Sequence, residues 1–143
     1  MNPIRKSAGR VNGKFSNQAR SFLVKNKFIP RGKVILPGDK SIAHRALILS
    51  ALSRGKTILK NFPIHDDSLA TLNALTALGV KILRNGDQVL VSGRGSQGLK
   101  EPSKQIFAGN SGTTLRLLLG VLAAQDFKAK ITAGKYLSLR PMS

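Results

Sequence analysis

The sequence predicts an α/β (α+β) fold in which helices pack against a mixed sheet. Segments with apolar residues at helical spacing alternate with short runs rich in β-branched residues. Turns containing glycine separate these segments. From residue 32 onward the predicted order is therefore β-α-β-α-β-β, followed by the start of a second such unit. With 143 residues and a hydrophobic content of 41%, the chain is large enough to bury a core.

The first predicted strand is GKVIL, at 32–36, and a Pro-Gly pair ends it. A helix is predicted in the following segment, SIAHRALILSALSRG, because its apolar residues recur at helical spacing. Asp39 or Ser41 would be the N-cap of this helix. Gly55 is placed to end it.

The next two predicted elements are a strand, TILKNF at 57–62, and a helix, DDSLATLNALTALG at 66–79. Leucine recurs at every third position of the helical segment, which is typical of a helix with one apolar face. Asp66 or Asp67 would cap the start of this helix, and Gly79 would follow its end.

A hairpin is predicted in VKILRNGDQVLVSG, because Asn85-Gly86 between two β-like runs is a strong hairpin signal. KQIF at 104–107 and KAKIT at 128–132 are predicted strands, and the apolar segment at 115–124 between them is a predicted helix. The turns PGDKS and GNSGTT occupy equivalent positions between a strand and a helix, which indicates a repeat.

The charge of the chain is strongly positive, with 24 Lys and Arg against 6 Asp and Glu and a formal net charge of +18. Such a surplus favours binding of phosphates, nucleic acid or acidic membrane surfaces. Residues 1–31 are predicted to be a basic, partly disordered leader, and 32–143 a domain.

Composition excludes several kinds of site. Because the sequence has no Cys, it has no disulfide, thiolate metal site or cysteine nucleophile. Two His and six scattered acids make a dedicated metal cage improbable, so no metal is predicted. No apolar run is long enough to span a bilayer. We expect a cytoplasmic protein.

The turn before the first helix predicts an anion site. Unpaired N–H groups and the positive end of the dipole make a helix N-terminus favourable for anions. Gly38 permits close backbone approach, Lys40 adds a mobile charge and Ser41 adds a hydroxyl donor. Arg45 follows one turn later on nearly the same face as Ser41, so these side chains can converge on one ligand. The alternative is that Asp39 or Ser41 merely caps the helix while the cations are solvated.

The segment GNSGTTLR, at 109–116, repeats this pattern with more backbone and less charge. Its amides can cradle a carboxylate or a phosphate, and Arg116 follows in the first turn of the helix. It is not a P-loop, since no Lys follows the second Gly. The competing interpretation is N-capping by Ser111 or Thr113.

Three further residues have weaker claims. Arg140, held by a following Pro, is suited to a bidentate contact with a carboxylate or phosphate, although an Arg near a chain end is usually solvated. His44 is predicted to face away from Ser41 as a surface or boundary residue. His65 is expected to make only a local hydrogen bond.

The ordered motifs LPGDKSIAHRALILSAL, DD-S-L-T-LNAL-ALG, FAGNSGTTLRLLLGVLA and RPM resemble those of 5-enolpyruvylshikimate-3-phosphate synthases, over 32–142. The resemblance implies βαβαββ units of the enolpyruvyl transferase fold. It also implies transfer of the enolpyruvyl group from phosphoenolpyruvate to the 5-hydroxyl of shikimate 3-phosphate, in the synthesis of chorismate and the aromatic amino acids. No metal and no organic cofactor are implied.

The resemblance assigns binding residues by position. Those expected against shikimate 3-phosphate are Lys40, Ser41 and Arg45. Those expected against phosphoenolpyruvate are Lys40, Asn110, Gly112 and Arg140, with Thr113 and Arg116 as supports.

The chain departs from the family pattern in two respects. Ala133-Gly134 stands where members commonly carry Gly-Asp, and Tyr136 stands at a Ser position. Members are also much longer, with the active site between two domains, so the catalytic residues are expected in a missing C-terminal portion. We therefore expect a fragment that is inactive alone, with a complementing C-terminal chain as a candidate partner. Residues before Pro37 are expected to lack their pairing partner.

Three alternatives stay open at this point. One is a relative of the sister family that uses a UDP-sugar, although that family shows Lys-Asn at the position of Lys40-Ser41 and often a loop cysteine. Another is a non-catalytic module that binds shikimate phosphate or another anion. The third is a basic nucleic-acid-binding protein, which the scarcity of stacking aromatics disfavours, with one Tyr and no Trp.

Overall fold

The computed structural model describes residues 32, 33 and 35–141. The chain divides into two units, Met1–Val34 and Ile35–Ser143, and every element named below lies in the second. The predicted basic leader at 1–31 lies outside the described residues.

Helices and strands alternate along the described part, so the predicted α/β class is confirmed. The elements are α1 Lys40–Leu52, β1 Arg54–Leu59, α2 Asp66–Ala77, β2 Lys81–Asn85, β3 Gln88–Arg94, β4 Ile106–Phe107, α3 Gly112–Leu122, β5 Ile131–Thr132 and α4 Lys135–Ser138.

The strands of the described residues form two sheets rather than one mixed sheet. β1, β3 and β2 form an antiparallel sheet in that order, with β3 in the centre. β4 and β5 form a separate parallel pair, with Ile106 opposite Ile131. Parallel neighbours need a crossover connection, and α3 lies in the segment that joins these two strands.

The predicted hairpin is confirmed. The last pair of the β2–β3 ladder joins Asn85 and Gln88, which leaves a two-residue turn between the strands. Gly86 in this turn has a φ of 58°, a conformation that favours glycine. The Asn-Gly signal therefore fixes the register of β2 against β3.

The predicted strand at 32–36 is wrong for the residues that the structure describes there, which form no strand. Ile35 and Leu36 are 82% and 72% exposed. A β-branched run makes a strand only where its backbone groups find a partner strand. Among the described residues, Leu36 O accepts only from the side chain of Asn61, at 3.4 Å.

Asp39 is the N-cap of α1, one of the two predicted caps. Its Oδ1 accepts from Ile42 N at 2.7 Å. The prediction that Gly55 ends the helix is wrong, because α1 ends at Leu52 and Gly55 pairs with Gly93 inside the sheet. The strand begins directly after the helix, so no glycine C-cap is formed.

The N-cap of α2 is His65, one residue before the first of the two predicted caps, Asp66 and Asp67. The His65 N–H donates to Ser68 Oγ at 3.1 Å. Both acids lie in the first turn, where they interact favourably with the helix dipole. Gly79 follows the helix with a φ of 83°, as predicted.

The core lies where α1, α2 and α3 meet one another and the central strand β3. The largest buried apolar side chains come from all four of these elements. They include Leu47, Leu75, Leu78, Val89, Val91 and Leu118. One face of the sheet and one stripe of each helix are thus removed from water, which is the main source of stability in such a fold.

Replacing Leu75 by Ala will lower the free energy of unfolding by about 2–5 kcal/mol, because it leaves a cavity where the side chain is fully buried. Leu83→Ala is the matched control. Leu83 is 56% exposed on β2, so its truncation will change stability by no more than about 0.5 kcal/mol. Urea denaturation followed by circular dichroism measures both, and equal losses would contradict this description of the core.

Candidate functional site

α1 and α2 run side by side in the same direction. Lys40 Nζ contacts Asp67 Oδ2 at 2.8 Å, joining the first turns. His44 Nδ1 contacts Thr71 Oγ1 at 2.7 Å, one turn further along both helices. Because both pairs advance by four residues on each helix, the two N-termini lie at the same end.

The N-terminus of α3 joins the same end. Thr114 Oγ1 lies 2.7 Å from Thr71 Oγ1 and 3.3 Å from the backbone oxygen of Asp67. Ser111 is the N-cap of α3, and its Oγ accepts from Thr114 N at 3.1 Å. Three helix N-termini with their positive dipole ends are therefore gathered in one place, which favours an anionic ligand.

The predicted residues of α1 lie at this end. Lys40 is half exposed and paired with Asp67. Ser41 and Arg45 are exposed, and Arg45 Nη1 donates to the backbone oxygen of Ser41 at 3.1 Å. This contact places Arg45 on the face of Ser41, as the four-residue spacing predicts.

The predicted residues of α3 occupy its first turns. Gly112 and Thr113 follow the Ser111 cap directly, and of the two candidate caps Ser111 is the one used. A Cβ added to Gly112 would lie 3.4 Å from Arg116 Nη1. The Arg116 guanidinium therefore lies over the glycine that the helix N-terminus presents.

Asn110 is held by the short helix α4, which the sequence did not predict. Its Oδ1 accepts from the backbone N–H groups of Tyr136 and Leu137, at 3.2 and 3.3 Å. Gly134 N donates to Gly109 O at 2.6 Å. The GNSG turn is thus fixed to α4 by three hydrogen bonds.

Arg140 follows α4 and is exposed. Its N–H donates to Leu137 O at 3.0 Å. Gly134 is the N-cap of α4. A Cβ on Gly134 would lie 2.5 Å from Asn110 Oδ1. A side chain at position 134 would therefore require the Asn110 amide to move.

His44 is fully buried, so its prediction as a surface or boundary residue is wrong. The signal that identifies its burial is present in the sequence. His44 is three, four and seven residues before Leu47, Ile48 and Ala51, which form the buried stripe of α1. Sequence reasoning also missed Thr71 and Thr114, whose hydroxyls are buried beside it.

Burial lowers the pKa of His44 below its ordinary value of 6.5, because the charged imidazolium would lose its solvation. The nearby cations Lys40 and Arg45 lower the pKa further, while Asp67 opposes them. His44 is therefore neutral near pH 7. Its Nε2 has no hydrogen-bond partner in the described part of the chain.

A separate apolar groove of about 500 Å³ lies between later turns of α1 and α3. Ile48, Leu49, Leu117 and Val121 line it. Arg45, Gln97 and Gln125 also line it, but most of the exposed lining is apolar, so an anion would lose more hydration there than at the helix N-termini. The helix N-termini are therefore the better candidate site for a charged ligand.

The described residues contain no group of three His, Cys, Asp or Glu side chains arranged to hold a metal ion. None of their helices has the length and apolar character needed to cross a membrane.

A family profile described as EPSP synthase (3-phosphoshikimate 1-carboxyvinyltransferase) matches residues 29–143. The chain belongs to the EPSP synthase family. The resemblance found in its motifs is thereby confirmed. A 3-phosphoshikimate 1-carboxyvinyltransferase of Limosilactobacillus fermentum is 46% identical over 125 residues, which are 87% of this chain and 29% of the relative. One of Listeria innocua is 42% identical over 85% of this chain and 28% of the relative.

A solved EPSP synthase from Acinetobacter baumannii shares the fold, with a TM-score of 0.75 and 43% identity. The match covers 78% of this chain and 26% of that one. The chain thus spans somewhat more than a quarter of the length of these EPSP synthases.

In this member of the EPSP synthase family, Gly134→Ala will lower the free energy of unfolding by roughly 1–3 kcal/mol, because the new methyl group forces Asn110 aside. The backbone at Gly134 has a φ of −70°, which any residue adopts, so the effect is steric. Gly120→Ala is the control, since a Cβ there meets no neighbour within 4 Å. It will leave stability unchanged or raise it by up to about 1 kcal/mol. Denaturant titration distinguishes the two, and a neutral Gly134→Ala would contradict the contact.

The buried neutral His44 predicts a pH dependence of stability. Below about pH 6.5 the unfolded chain binds a proton at His44 that the folded chain does not bind. The unfolding free energy will therefore fall as pH is lowered through this range. His44→Asn removes the titrating group, so its stability will fall less between about pH 7.5 and 5.5. Denaturant titrations across this range measure the difference, and parallel profiles would contradict it.

Proposed function

We propose that this chain carries substrate-binding parts of a 3-phosphoshikimate 1-carboxyvinyltransferase. The reaction transfers the enolpyruvyl group of phosphoenolpyruvate to the 5-hydroxyl of shikimate 3-phosphate and releases phosphate. Family membership supports the reaction class. The observation that carries the proposal is the gathering of three helix N-termini by the Thr114, Thr71 and His44 contacts. Both substrates are anions, and such an end favours them.

Lys40, Ser41 and Arg45 are proposed to bind shikimate 3-phosphate. They place an ammonium, a hydroxyl and a guanidinium on the first two turns of α1. Lys40 is already paired with Asp67, but the pair is partly exposed. Exposed ion pairs contribute only about 0–1 kcal/mol, so a phosphate dianion can take the ammonium from Asp67 at small cost.

Asn110, Gly112 and Arg140 are proposed to bind phosphoenolpyruvate, together with Lys40. The cap contact with α4 engages Asn110 Oδ1 and leaves the side-chain NH₂ as its ligand-binding group. An anion requires a donor, so the remaining end of the amide is the suitable one.

Thr113 and Arg116 are proposed as supports at the start of α3. The Ser111 cap takes the N–H of Thr114. In the described part of the chain, the N–H groups of Gly112 and Thr113 have no partner. These are the orphan donors of a helix N-terminus, which suit a carboxylate or a phosphate.

Turnover is proposed to require more than these residues. The groups assigned above bind and neutralise charge, and none of them is assigned a proton-transfer role. We propose that acid–base groups come from the portion of the family's length that this sequence does not span, supplied by a complementing C-terminal chain. A cytoplasmic location stays a prediction of the sequence.

Isothermal titration of shikimate 3-phosphate into the purified chain tests the proposal. We expect Lys40→Ala to weaken binding about tenfold or more, because a charge-assisted hydrogen bond is worth about 1.5–3 kcal/mol. Lys81→Ala is the matched control. Lys81 is exposed and begins β2, beyond the C-terminal end of α2 and so at the opposite end from the site.

Binding by the parent chain and the Lys81 variant, but not by the Lys40 variant, would support the proposal. Absence of binding to a folded parent chain, or equal affinity of the Lys40 variant, would refute it. Phosphate release from phosphoenolpyruvate in the presence of shikimate 3-phosphate is then measured with and without the complementing portion.

A further inference from the structure

Polar contacts form a closed circuit among the three helices. It runs from Lys40 to the Asp67 side chain, from the Asp67 backbone oxygen to Thr114, and from Thr114 through Thr71 to His44. His44 and Lys40 are one turn apart on α1, and this stretch of helix closes the circuit. Each contact joins two different helices, and the circuit touches the first two turns of α1 and α2 and the start of α3.

The inner part of this circuit is buried away from solvent. His44, Thr71 and Thr114 have no exposed surface, and Ser111 beside them is 2% exposed. Hydrogen bonds in such surroundings are strong, and losing one partner leaves the other group buried and unsatisfied. Apolar contacts tolerate small sliding movements of packed helices, whereas a buried hydrogen-bond chain requires one register.

Thr71 and Thr114 can each be the donor in their contact, so the direction of the chain is taken from the other partners of Thr114. Thr114 Oγ1 donates to Ser111 Oγ at 2.8 Å or to Asp67 O at 3.3 Å. With its one proton used there, Thr114 accepts from Thr71, and Thr71 accepts from His44 Nδ1–H. This direction requires the neutral imidazole tautomer protonated at Nδ1.

We propose that His44 and Thr71 are positioning residues for the anion site. This inference rests on the proposed function, because the site they position is the one assigned there. Through Thr114 they fix Lys40 and Ser41 on α1 relative to the Gly112–Thr113 amides on α3. Neither residue needs to touch a substrate for this role, and both are buried beneath the helix ends that do.

Thr71→Val tests the proposal, because it keeps the branched shape and removes the hydroxyl in the middle of the chain. We expect its affinity for shikimate 3-phosphate to fall about tenfold, through displacement of Lys40 and Ser41. Thr76→Val is the matched control on the same helix. Thr76 is exposed, and its hydroxyl donates to Leu72 O at 3.0 Å. We expect this variant to bind within about twofold of the parent chain.

A second pair of variants separates positioning from general destabilisation. His44→Asn retains a polar atom near the place of Nδ1, so we expect it to keep affinity within about threefold. His44→Leu fills the space without a donor and is expected to bind as weakly as Thr71→Val. If Thr71→Val fails to fold, the Asn and Leu variants make the same comparison.

NMR of the ligand-free chain gives a readout that does not depend on substrate binding. The His44 ring nitrogens should report protonation at Nδ1. The amide signals of Ser41 and Thr113 should shift in Thr71→Val and remain in place in Thr76→Val. Folded Thr71→Val with unchanged affinity and unchanged amide signals would overturn the proposal. If the parent chain binds no shikimate 3-phosphate, the proposed function fails, and the amide signals alone decide whether the helix ends are positioned in this way.

Discussion

The arrangement of the helices depends on a buried polar chain at their N-terminal ends. His44, Thr71 and Thr114 are removed from water, and each must therefore find a hydrogen-bond partner within the protein. The partners lie on different helices, so satisfying them brings α1, α2 and α3 to a common end. Because these buried groups need hydrogen-bond partners on other helices, the positive ends of three helix dipoles also lie close together. The proposed anion site is then a consequence of how the core is closed.

The apolar core and the polar chain of His44, Thr71 and Thr114 contribute differently to the arrangement of the helices. Leu47, Leu75 and Leu118 bring the three helices together and onto the sheet, but such contacts are not directional. The Lys40–Asp67 and His44–Thr71 contacts are four residues apart on both helices. Together they fix the axial register of α1 against α2. A site built from helix N-termini needs that register, since a shift of one residue along a helix moves its end by about 1.5 Å. The register of the proposed site is therefore set by buried contacts below the exposed charged groups.

Local signals in the sequence predicted the elements whose formation is local. The Asn85-Gly86 turn, the Asp39 cap and the glycine after α2 are determined by neighbouring residues, and all three are present. Features set by tertiary contacts were not predictable in this way. The run at 32–36 lacks a strand to pair with among the described residues, and Gly55 is taken into the sheet by its partner on β3. The predicted binding residues of α1 lie at one helix end, whereas the hydrogen bonds among His44, Thr71 and Thr114 beneath them join residues far apart in sequence and have no local signal.

The turn around Asn110 shows how a helix N-cap without a side chain is accommodated. An N-cap side chain accepts from the second or third N–H group of its helix, and these are the groups of Tyr136 and Leu137 in α4. Gly134, at the N-cap, has no side chain to do so. Asn110 Oδ1 accepts from both instead, from a distant part of the chain. The missing side chain makes the space that Asn110 occupies. Capping is thus transferred to a residue of the GNSG turn, which ties the position of Arg140 after α4 to that turn.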